Sequence, residues 1–215
     1  MKSSRLLGRL ALRFFFQPLA RCRQSRLPDQ DVIISTSGCK MKIFAPRSNL
    51  IGRELYLRGV SEPEVTGAIR ALTGPGRTIF DIGGDAGYHT LLFAHAVGPS
   101  GKVFVFEPIP AAQKRIEENH RLNGFEQCQI HGLALGRKKA FMLLERSFES
   151  SRLNPDKKTA GTGDITVAVE RLDDVMLAES LPVPDLIKID VEGADLEVLS
   201  GMETLVAAHH PAFII

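Results

Sequence analysis

The stretch Thr78-Ile-Phe-Asp-Ile-Gly-Gly-Asp-Ala-Gly-Tyr-His-Thr90 decides the fold of this chain. A short apolar strand runs into an acid, three glycines follow within five residues, and an apolar helix begins directly afterwards. Glycines let other groups approach the backbone closely, and the first turn of a helix offers free N–H groups. The pattern therefore predicts a strand–turn–helix unit that cradles a nucleotide-like ligand.

The acids in this turn discriminate between ligands. Asp81 closes the strand, and Gly83, Asp85 and Gly87 follow at alternate positions. A dinucleotide fingerprint, Gly-x-Gly-x-x-Gly, would need glycine where Asp85 stands. Carboxylates suit a ligand with a cationic amino acid part better than a phosphate. We therefore expect S-adenosyl-L-methionine rather than a dinucleotide, with Gly83, Gly84 and Gly87 packing on it. A purely structural strand-to-helix turn is the alternative.

Strands and helices alternate after residue 60, which predicts βαβ units and a mostly parallel, doubly wound sheet. Ser61-Glu-Pro-Glu64 has the pattern of a helix start, with Ser61 as its cap. A polar segment at 150–164 reads as a mobile surface loop. The predicted strands cover 78–82, 102–107, 129–135, 141–145 (an added hairpin), 165–169, 186–190 and a start at 213. The remaining predicted helices cover about 87–97, 110–122, 172–177 and 194–208.

A carboxylate ends the second strand of this series. Glu107 follows an apolar run and lies 24 residues after Gly83. Ligands of open parallel sheets bind beyond the carboxyl ends of the strands, where such an acid can accept hydrogen bonds from both hydroxyls of a ribose. The spacing fits a methyl donor and a dinucleotide equally well. A solvated acid is the structural alternative.

Charged residues also close the strand predicted at 186–190. Lys188 and Asp190 fall on one side of that strand, opposite its isoleucines, and Glu192 follows. Charges in an apolar parallel strand are costly unless they are paired or used. Asp190 and Glu192 could bind the ligand, orient a substrate hydroxyl or act as a base, and His89 is a further candidate base. A structural ion pair with helix-capping acids is the alternative.

The composition excludes several other classes of protein. A hydrophobic content of 44% and a charged content of 24% are ordinary for a globular domain. The net charge of +2 does not indicate a nucleic-acid partner, because seven cations and no acid precede Asp29 and the excess is local. The chain contains no run of about 18 or more uncharged apolar residues, so a membrane-spanning helix is not expected. The three cysteines, Cys22, Cys39 and Cys128, show no metal-ligand spacing with histidine.

The basic start of the chain forms a separate feature. Arg5, Arg9 and Arg13 share one helical face with leucines and phenylalanines beside them. Residues 1–17 are thus predicted to form either a loosely docked terminal helix or a basic amphipathic helix that contacts an anionic membrane surface or targets an organelle. We expect a basic extension over 1–45, a catalytic domain over 46–215 and a cytoplasmic location.

With these motifs assembled, the chain resembles the FkbM family of S-adenosyl-L-methionine-dependent methyltransferases over about residues 60–215. The combination is specific, although each motif alone is not. The motifs are Phe80-Asp-Ile-Gly-Gly-Asp-Ala-Gly-Tyr88, Phe106-Glu-Pro-Ile-Pro110 with Asn119 and Asn123, Leu172-Asp-Asp-Val175, and Ile187-Lys-Ile-Asp-Val-Glu-Gly-Ala194 followed by Val198-Leu-Ser-Gly201.

The resemblance implies a Rossmann-like class I methyltransferase that acts on a hydroxyl of a small molecule or sugar. It implies that the acids and glycines of the turn flank the methionine part of the donor and that Glu107 holds its ribose. Ala134 would border the adenine. Asp190 and Glu192 would face the methyl-transfer site. These assignments are expectations at this point.

Two departures from the family are visible. The family usually has Gly-Ala-Asn where this chain has Gly83-Gly84-Asp85, which adds a charge beside the donor. The family's last two strands would also follow Ile215, so the sequence predicts a C-terminally incomplete domain, or fragment, with an uncovered sheet edge. A non-catalytic binding scaffold is therefore the second hypothesis, and an NAD(P)-binding oxidoreductase is the third.

Overall fold

Strands and helices alternate along most of the chain. A computed structural model describes residues 27–28, 30–43, 50–146, 151–154 and 164–215. Within these ranges the helices are α1 (Leu50–Arg58), α2 (Pro63–Leu72), α3 (Tyr88–Val97), α4 (Pro110–Asn123), α5 (Leu172–Glu179), α6 (Asp195–Ser200) and α7 (Glu203–His209). The strands are β1 (Val32–Thr36), β2 (Cys39–Ile43), β3 (Thr78–Ile82), β4 (Lys102–Phe106), β5 (Cys128–His131), β6 (Ala134–Leu135), β7 (Ala140–Arg146), β8 (Ser151–Asn154), β9 (Ile165–Glu170), β10 (Leu186–Ile189) and β11 (Ala212–Ile214).

Five of these strands form a parallel central sheet in the order β11-β10-β3-β4-β5. The chain runs outward from β3 to β5 and later returns to the other side of β3 with β10 and β11. The order therefore reverses between β3 and β10, and ligands of open α/β sheets bind at such a switch point. This topology confirms the predicted α/β class with a mostly parallel, doubly wound sheet.

Alternate residues of each central strand enter two different cores. On β4, Val103 and Val105 pack with helices α2, α3 and α4, whereas Phe104 and Phe106 pack with α5, α6 and α7. The second core is aromatic, since the ring of Phe80 lies edge-on to Phe104 and Phe106, with centroids 5.3 and 5.7 Å apart. Because strands buried on both faces need apolar residues throughout, the continuous apolar runs in the sequence predict them correctly.

A smaller sheet, in the order β6-β9-β7-β8, corrects two predictions. The strand expected at 129–135 is divided at Gly132 and Leu133. Its first part, β5, is an edge strand of the central sheet and ends at His131. Its second part, β6, pairs with β9 in the smaller sheet. The segment expected to be a loop from residue 150 contains strand β8, which forms the predicted hairpin with β7. Residues 155–163 lie outside the described residues.

The β1–β2 hairpin docks on helix α4 through two asparagines. Asn119 accepts a hydrogen bond from the Lys42 amide (2.7 Å) and Asn123 accepts one from the Lys40 amide (2.8 Å), while each carboxamide NH2 donates back to the carbonyl of the same residue (3.4 and 2.6 Å). The two carboxamides thus pair with β2 as a neighbouring strand would. Cys39 of β2 also joins the core under α3. The domain boundary at residue 45 stays a prediction. Because the hairpin packs on α4, it is part of the same packed unit as the central sheet.

The helix expected over 194–208 is divided into α6 and α7 at Gly201. A Cβ on Gly201 would collide with the carbonyl oxygen of Gly136, so the chain approaches another segment too closely for a side chain there. Asp173 then caps α7, because its two carboxylate oxygens accept the amides of Thr204 and Leu205, each at 3.0 Å. The acidic motif at 172–175 therefore has a structural role.

None of the helices in the described part of the chain has the length and apolar composition needed to cross a bilayer. The amphipathic helix predicted for residues 1–17 lies outside the described residues.

Candidate functional site

The site lies where the carboxyl ends of β3, β4 and β10 meet. Backbone hydrogen bonds continue beyond the strands, from the Gly83 amide to the Phe106 carbonyl (3.0 Å) and from the Asp190 amide to the Ile82 carbonyl (3.0 Å). These bonds fix the glycine turn between its two neighbouring strands. The structure therefore brings the turn, Glu107 and Asp190 to one edge of the sheet.

A buried ion pair crosses the floor of this site. Lys188 Nζ lies 3.4 Å from Oδ1 of Asp81, 3.4 Å from Oδ2 of Asp190 and 3.3 Å from the Gly83 carbonyl oxygen. Thr90 donates its hydroxyl to the other oxygen of Asp81 at 2.5 Å. Burial lowers the pKa of Lys188, but its attraction to Asp81 and Asp190 outweighs that effect and leaves the pKa above its usual value. Lys188 is therefore positively charged at neutral pH.

Asp81 itself is completely buried, and its partners come from the protein. The strand register places it directly beside Lys188. The ammonium group that this acid holds in the structure is thus a lysine side chain. Asp81 therefore holds Lys188 in place, and its contact with the donor stays a prediction.

The glycines of the turn are required by close packing within the protein. Gly83 has φ +83°, and a Cβ there would collide with the carbonyl oxygen of Asp190. A Cβ on Gly84 would lie 2.6 Å from Val105 and 2.9 Å from Ile116, and one on Gly87 would lie 3.1 Å from Ile116. The first glycine therefore joins the turn to β10, and the other two let α4 approach.

Glu107 is held rigidly beside this turn. Its carboxylate accepts the Asp85 amide at 2.9 Å and the Ile109 amide at 2.8 Å, and only 4% of the residue is exposed. Gln113 donates its side-chain NH2 to the Glu107 carbonyl at 2.8 Å. Burial raises the pKa of Glu107 to about 7, although the two amide donors act in the opposite direction. A carboxylate has about four lone-pair sites, so Glu107 can still accept two hydroxyl donors.

Asp85, the residue that departs from the family pattern, lies at the rim of the turn. It is exposed and adopts a left-handed backbone conformation, with φ 45°. Asparagine and aspartate tolerate this region better than most residues do. Its charge contributes to the raised pKa of Glu107.

The predicted catalytic acids lie in the turn after β10. Asp190 has 58% of its side chain exposed beside Lys188. Glu192 is exposed and adopts a left-handed backbone conformation, with φ 53°. His89, the third candidate base, is in the first turn of α3, where burial and the charge of Lys188 lower its pKa to about 4. The imidazole is therefore neutral at pH 7.

The expected adenine side is lined by apolar groups. Ala134 is buried on β6 and belongs to a small core against which Ile109 packs, so it shares surroundings with the loop that carries Glu107. At the end of β5, the ring of His131 stacks on Phe106 with centroids 4.9 Å apart. The sequence did not single out His131, because its role depends on where the third strand ends.

Glu62 is the residue of this region that sequence reasoning missed. It occupies the cap position of α2 with φ 44°, whereas Ser61, the predicted cap, instead donates its hydroxyl to Glu54 at 3.0 Å. Glu62 Oε2 lies 3.4 Å from His89 Nε2. Burial raises the pKa of Glu62, and Asp190 adds to the rise. The helix-start pattern gives its position along the chain but not its neighbours in space.

Comparison with known proteins agrees with the sequence motifs. Residues 81–215 match the Methyltransferase FkbM domain. The 31-O-demethyl-FK506 methyltransferase FkbM of Streptomyces tacrolimicus is 30% identical over 158 residues, which cover 60% of each chain. Hexuronic acid methyltransferase AglP of Haloferax volcanii is 31% identical over 127 residues, which cover 58% of this chain and 49% of that protein.

A solved structure of methyltransferase FkbM from Methylobacillus flagellatus aligns over 75% of this chain and 41% of its own, with 17% identity and a TM-score of 0.48. The chain spans 49% to 60% of the length of the two curated relatives named above. Because the domain match covers more than half of the chain, this chain belongs to the FkbM methyltransferase family.

Proposed function

We propose that this chain is an S-adenosyl-L-methionine-dependent methyltransferase that methylates a hydroxyl oxygen of a small molecule or sugar. The observation that supports this proposal most directly is the position of Glu107. Its buried carboxylate is held beside the glycine turn, at the switch point of the central sheet, in a chain that belongs to the FkbM family. The hydroxyl acceptor is inferred from the relatives' names, which refer to a hexuronic acid and to 31-O-demethyl-FK506.

The donor site has suitable chemistry for this ligand. Glu107 would accept hydrogen bonds from the two ribose hydroxyls, and these donors would stabilise its ionised form in a buried position. The backbone of Gly83 and the rim residue Asp85 would flank the methionine part, with Gly84 and Gly87 shaping the turn behind them. Ala134 would border the adenine.

Methyl transfer needs alignment of two reactants and removal of one proton. The sulfonium charge of the donor activates the methyl group, and the S–CH3 bond breaks with its electron pair on sulfur as an O–CH3 bond forms. Holding the reactants in line would be the main contribution of the protein. Asp190 and Glu192 are proposed to face the acceptor, where one of them takes the hydroxyl proton. The exposure of both side chains leaves room for an acceptor.

Calorimetric titration with S-adenosyl-L-methionine tests this proposal. Binding at one site per chain is expected, and Glu107→Ala should weaken it at least about tenfold, because charge-assisted hydrogen bonds to the ribose are lost. Absence of binding to the purified chain would reject the enzyme hypothesis. Unchanged affinity in Glu107→Ala would reject the ribose assignment, and binding of NAD in its place would favour the oxidoreductase. Donor binding without turnover on any hydroxyl acceptor would favour a binding scaffold.

The remaining assignments rest on the sequence alone. We propose a cytoplasmic location, with residues 1–17 in peripheral contact with a membrane surface, as the basic amphipathic pattern predicts. Binding of a peptide covering residues 1–17 to anionic but not neutral vesicles would support the membrane contact.

A further inference from the structure

Three side chains with metal-ligating atoms converge beside the donor site. Glu62 precedes α2, His89 lies in the first turn of α3, and Asp190 follows β10. One ligand atom from each lies within 4.8 Å of the other two. Because the three residues come from separate segments, no spacing in the sequence indicates that they meet.

The imidazole of His89 is the central member of this cluster. The residue is 8% exposed, and its Nε2 is a buried nitrogen with no hydrogen-bond partner in the part of the chain that the structure describes. This nitrogen lies 3.4 Å from Glu62 Oε2, outside ordinary hydrogen-bond range. A buried polar atom without a partner is costly, and a cation held between this nitrogen and the Glu62 carboxylate would give both groups a partner.

The charges around the cluster agree with a divalent ion. Lys188 compensates one of the three nearby carboxylates, Asp81, Asp190 and Glu62. These four groups and the neutral His89 then have a net charge of −2, and Glu54 and Asp85 add further negative potential at Glu62. A bound divalent cation would offset this negative charge.

The geometry agrees with coordination by nitrogen and oxygen. Tetrahedral ligands at about 2.1 Å from a metal lie about 3.4 Å from each other, which equals the His89–Glu62 separation. Asp190 contacts Lys188 through Oδ2, and a carboxylate has a second oxygen to offer. The carboxylate side chains of Glu62 and Asp190 are 49% and 58% exposed, so small rotations can close the remaining distance.

We propose that Glu62, His89 and Asp190 bind one divalent transition-metal ion, such as Mn2+ or Zn2+, beside the donor site. One imidazole and two carboxylates suit these ions better than Mg2+, which prefers oxygen ligands alone. Three protein ligands on a solvent-facing rim leave coordination positions open, as in catalytic rather than structural sites. A bound ion would also help to position an acceptor hydroxyl and lower its pKa, a consequence that rests on the proposed methyl transfer.

Mn2+ binding to the untagged chain, measured by loss of the free-ion electron paramagnetic resonance signal, tests the site without any methyl donor. About one ion per chain is expected, with Zn2+ as a competitor and Mg2+ at least about tenfold weaker. Glu62→Gln and His89→Ala should each weaken binding at least about tenfold, because even the loss of a group that only hydrogen-bonds a metal ligand typically costs that much. The matched controls Glu64→Gln and His209→Ala change exposed residues outside the cluster and should leave the affinity unchanged.

Glu62→Gln keeps the test valid if replacement of the buried His89 unfolds the protein, since Glu62 is half exposed. Absence of Mn2+ and Zn2+ binding at millimolar concentration, or binding insensitive to Glu62→Gln, would overturn the site. Displacement of Mn2+ by S-adenosyl-L-methionine would assign the cluster to the ammonium group of the donor and also overturn it. Donor binding measured in chelator distinguishes failure of the metal site from failure of the proposed methyltransferase.

Discussion

Lys188 and Asp81 form an ion pair between neighbouring strands of the central sheet, with Nζ 3.4 Å from Oδ1 and both residues at most 3% exposed. The pair lies directly beneath the glycine turn, because Lys188 also donates to the Gly83 carbonyl. Charges at such depth are tolerated only when each has its partner. The pair therefore couples the stability of the sheet to the shape of the site.

Lys188→Met should destabilise the fold by about 3–5 kcal/mol, since Asp81 would remain as an uncompensated buried charge. Urea unfolding measures this loss. The double variant Lys188→Met/Asp81→Asn should recover part of it, because the stranded charge is removed. If the single and double variants lose equal stability, the ion pair does not have this role.

Arg77→Met is the matched control for this experiment. Arg77 pairs with Asp185 at the other end of the same two strands, at 2.6 Å, but the two side chains are 56% and 36% exposed. Exposed ion pairs contribute less than about 1 kcal/mol. A large loss in Arg77→Met would mean that any broken pair across β3 and β10 destabilises the sheet, whatever its burial.

The pKa of Glu107, raised to about 7 by burial, predicts how donor binding depends on pH. Ribose hydroxyls donate to the ionised form, so the donor should bind that form and lower the pKa. Only about a tenth of Glu107 is ionised at pH 6 and about nine tenths at pH 8, which predicts about tenfold tighter binding at pH 8. At pH 7, binding should release about half a proton, measured by calorimetry in buffers of different ionisation enthalpy.

Glu107→Gln provides the control, because it cannot titrate and should bind weakly with no pH dependence of this kind. A flat affinity between pH 6 and pH 8 in the unmodified protein would contradict the ribose assignment.

The raised pKa of Glu107 also makes the stability of the fold depend on pH. The folded state holds this proton more tightly than the unfolded state, so the contribution of Glu107 to stability is largest below pH 4.5 and is lost as pH rises towards 7.

Asp85→Asn restores the residue usual in the family and isolates one contribution to that pKa. Removing the charge of Asp85 should lower the pKa of Glu107, although burial remains the larger cause. Donor affinity at pH 6 should rise about two- to fivefold, the range of one surface charge interaction. At pH 8 no such gain is expected, because Glu107 is already ionised there, and any change in affinity at that pH reports direct contact of Asp85 with the donor.

The distant control Asp174→Asn removes an exposed carboxylate of α5 and should leave the pH profile unchanged. An equal gain at pH 6 and pH 8 in Asp85→Asn would contradict action through Glu107. It would show that the extra charge of Asp85 acts on the donor directly.

The local features of the site could be predicted from the sequence because they depend on neighbouring residues. The strand–turn–helix unit at 78–97 follows from apolar runs and glycine spacing, and the two-residue period of a strand correctly places Lys188 and Asp190 on one side. The pairing of Lys188 with Asp81 could not be predicted, because it requires the register between β10 and β3. The position of Glu62 beside His89 likewise depends on the packing of α2 against α3.

The two elements whose bounds were predicted wrongly, the strand at 129–135 and the helix at 194–208, also depend on contacts between distant parts of the chain. The break of the third strand after His131 depends on pairing with β9, in which Val169 lies beside Ala134 although it is 35 residues further along the chain. The division of the last long helix depends on contact between Gly201 and Gly136 and on a cap supplied by Asp173. Local propensity contains none of these contacts, since an apolar helical pattern continues across the break.

The contact between Gly201 and Gly136 leads to a prediction with a matched control. Gly201→Ala should destabilise the fold by about 1–3 kcal/mol, because the added methyl would collide with the Gly136 carbonyl oxygen and with backbone that cannot move freely. Gly67→Ala, by contrast, places its methyl in open space within α2, where no atom lies within 4 Å, and should stabilise the helix by about 0.5–1 kcal/mol. Chemical denaturation of the two variants measures both effects. Opposite signs are expected, and stabilisation by Gly201→Ala would show that α6 and α7 can fuse into the single helix that the sequence pattern predicts.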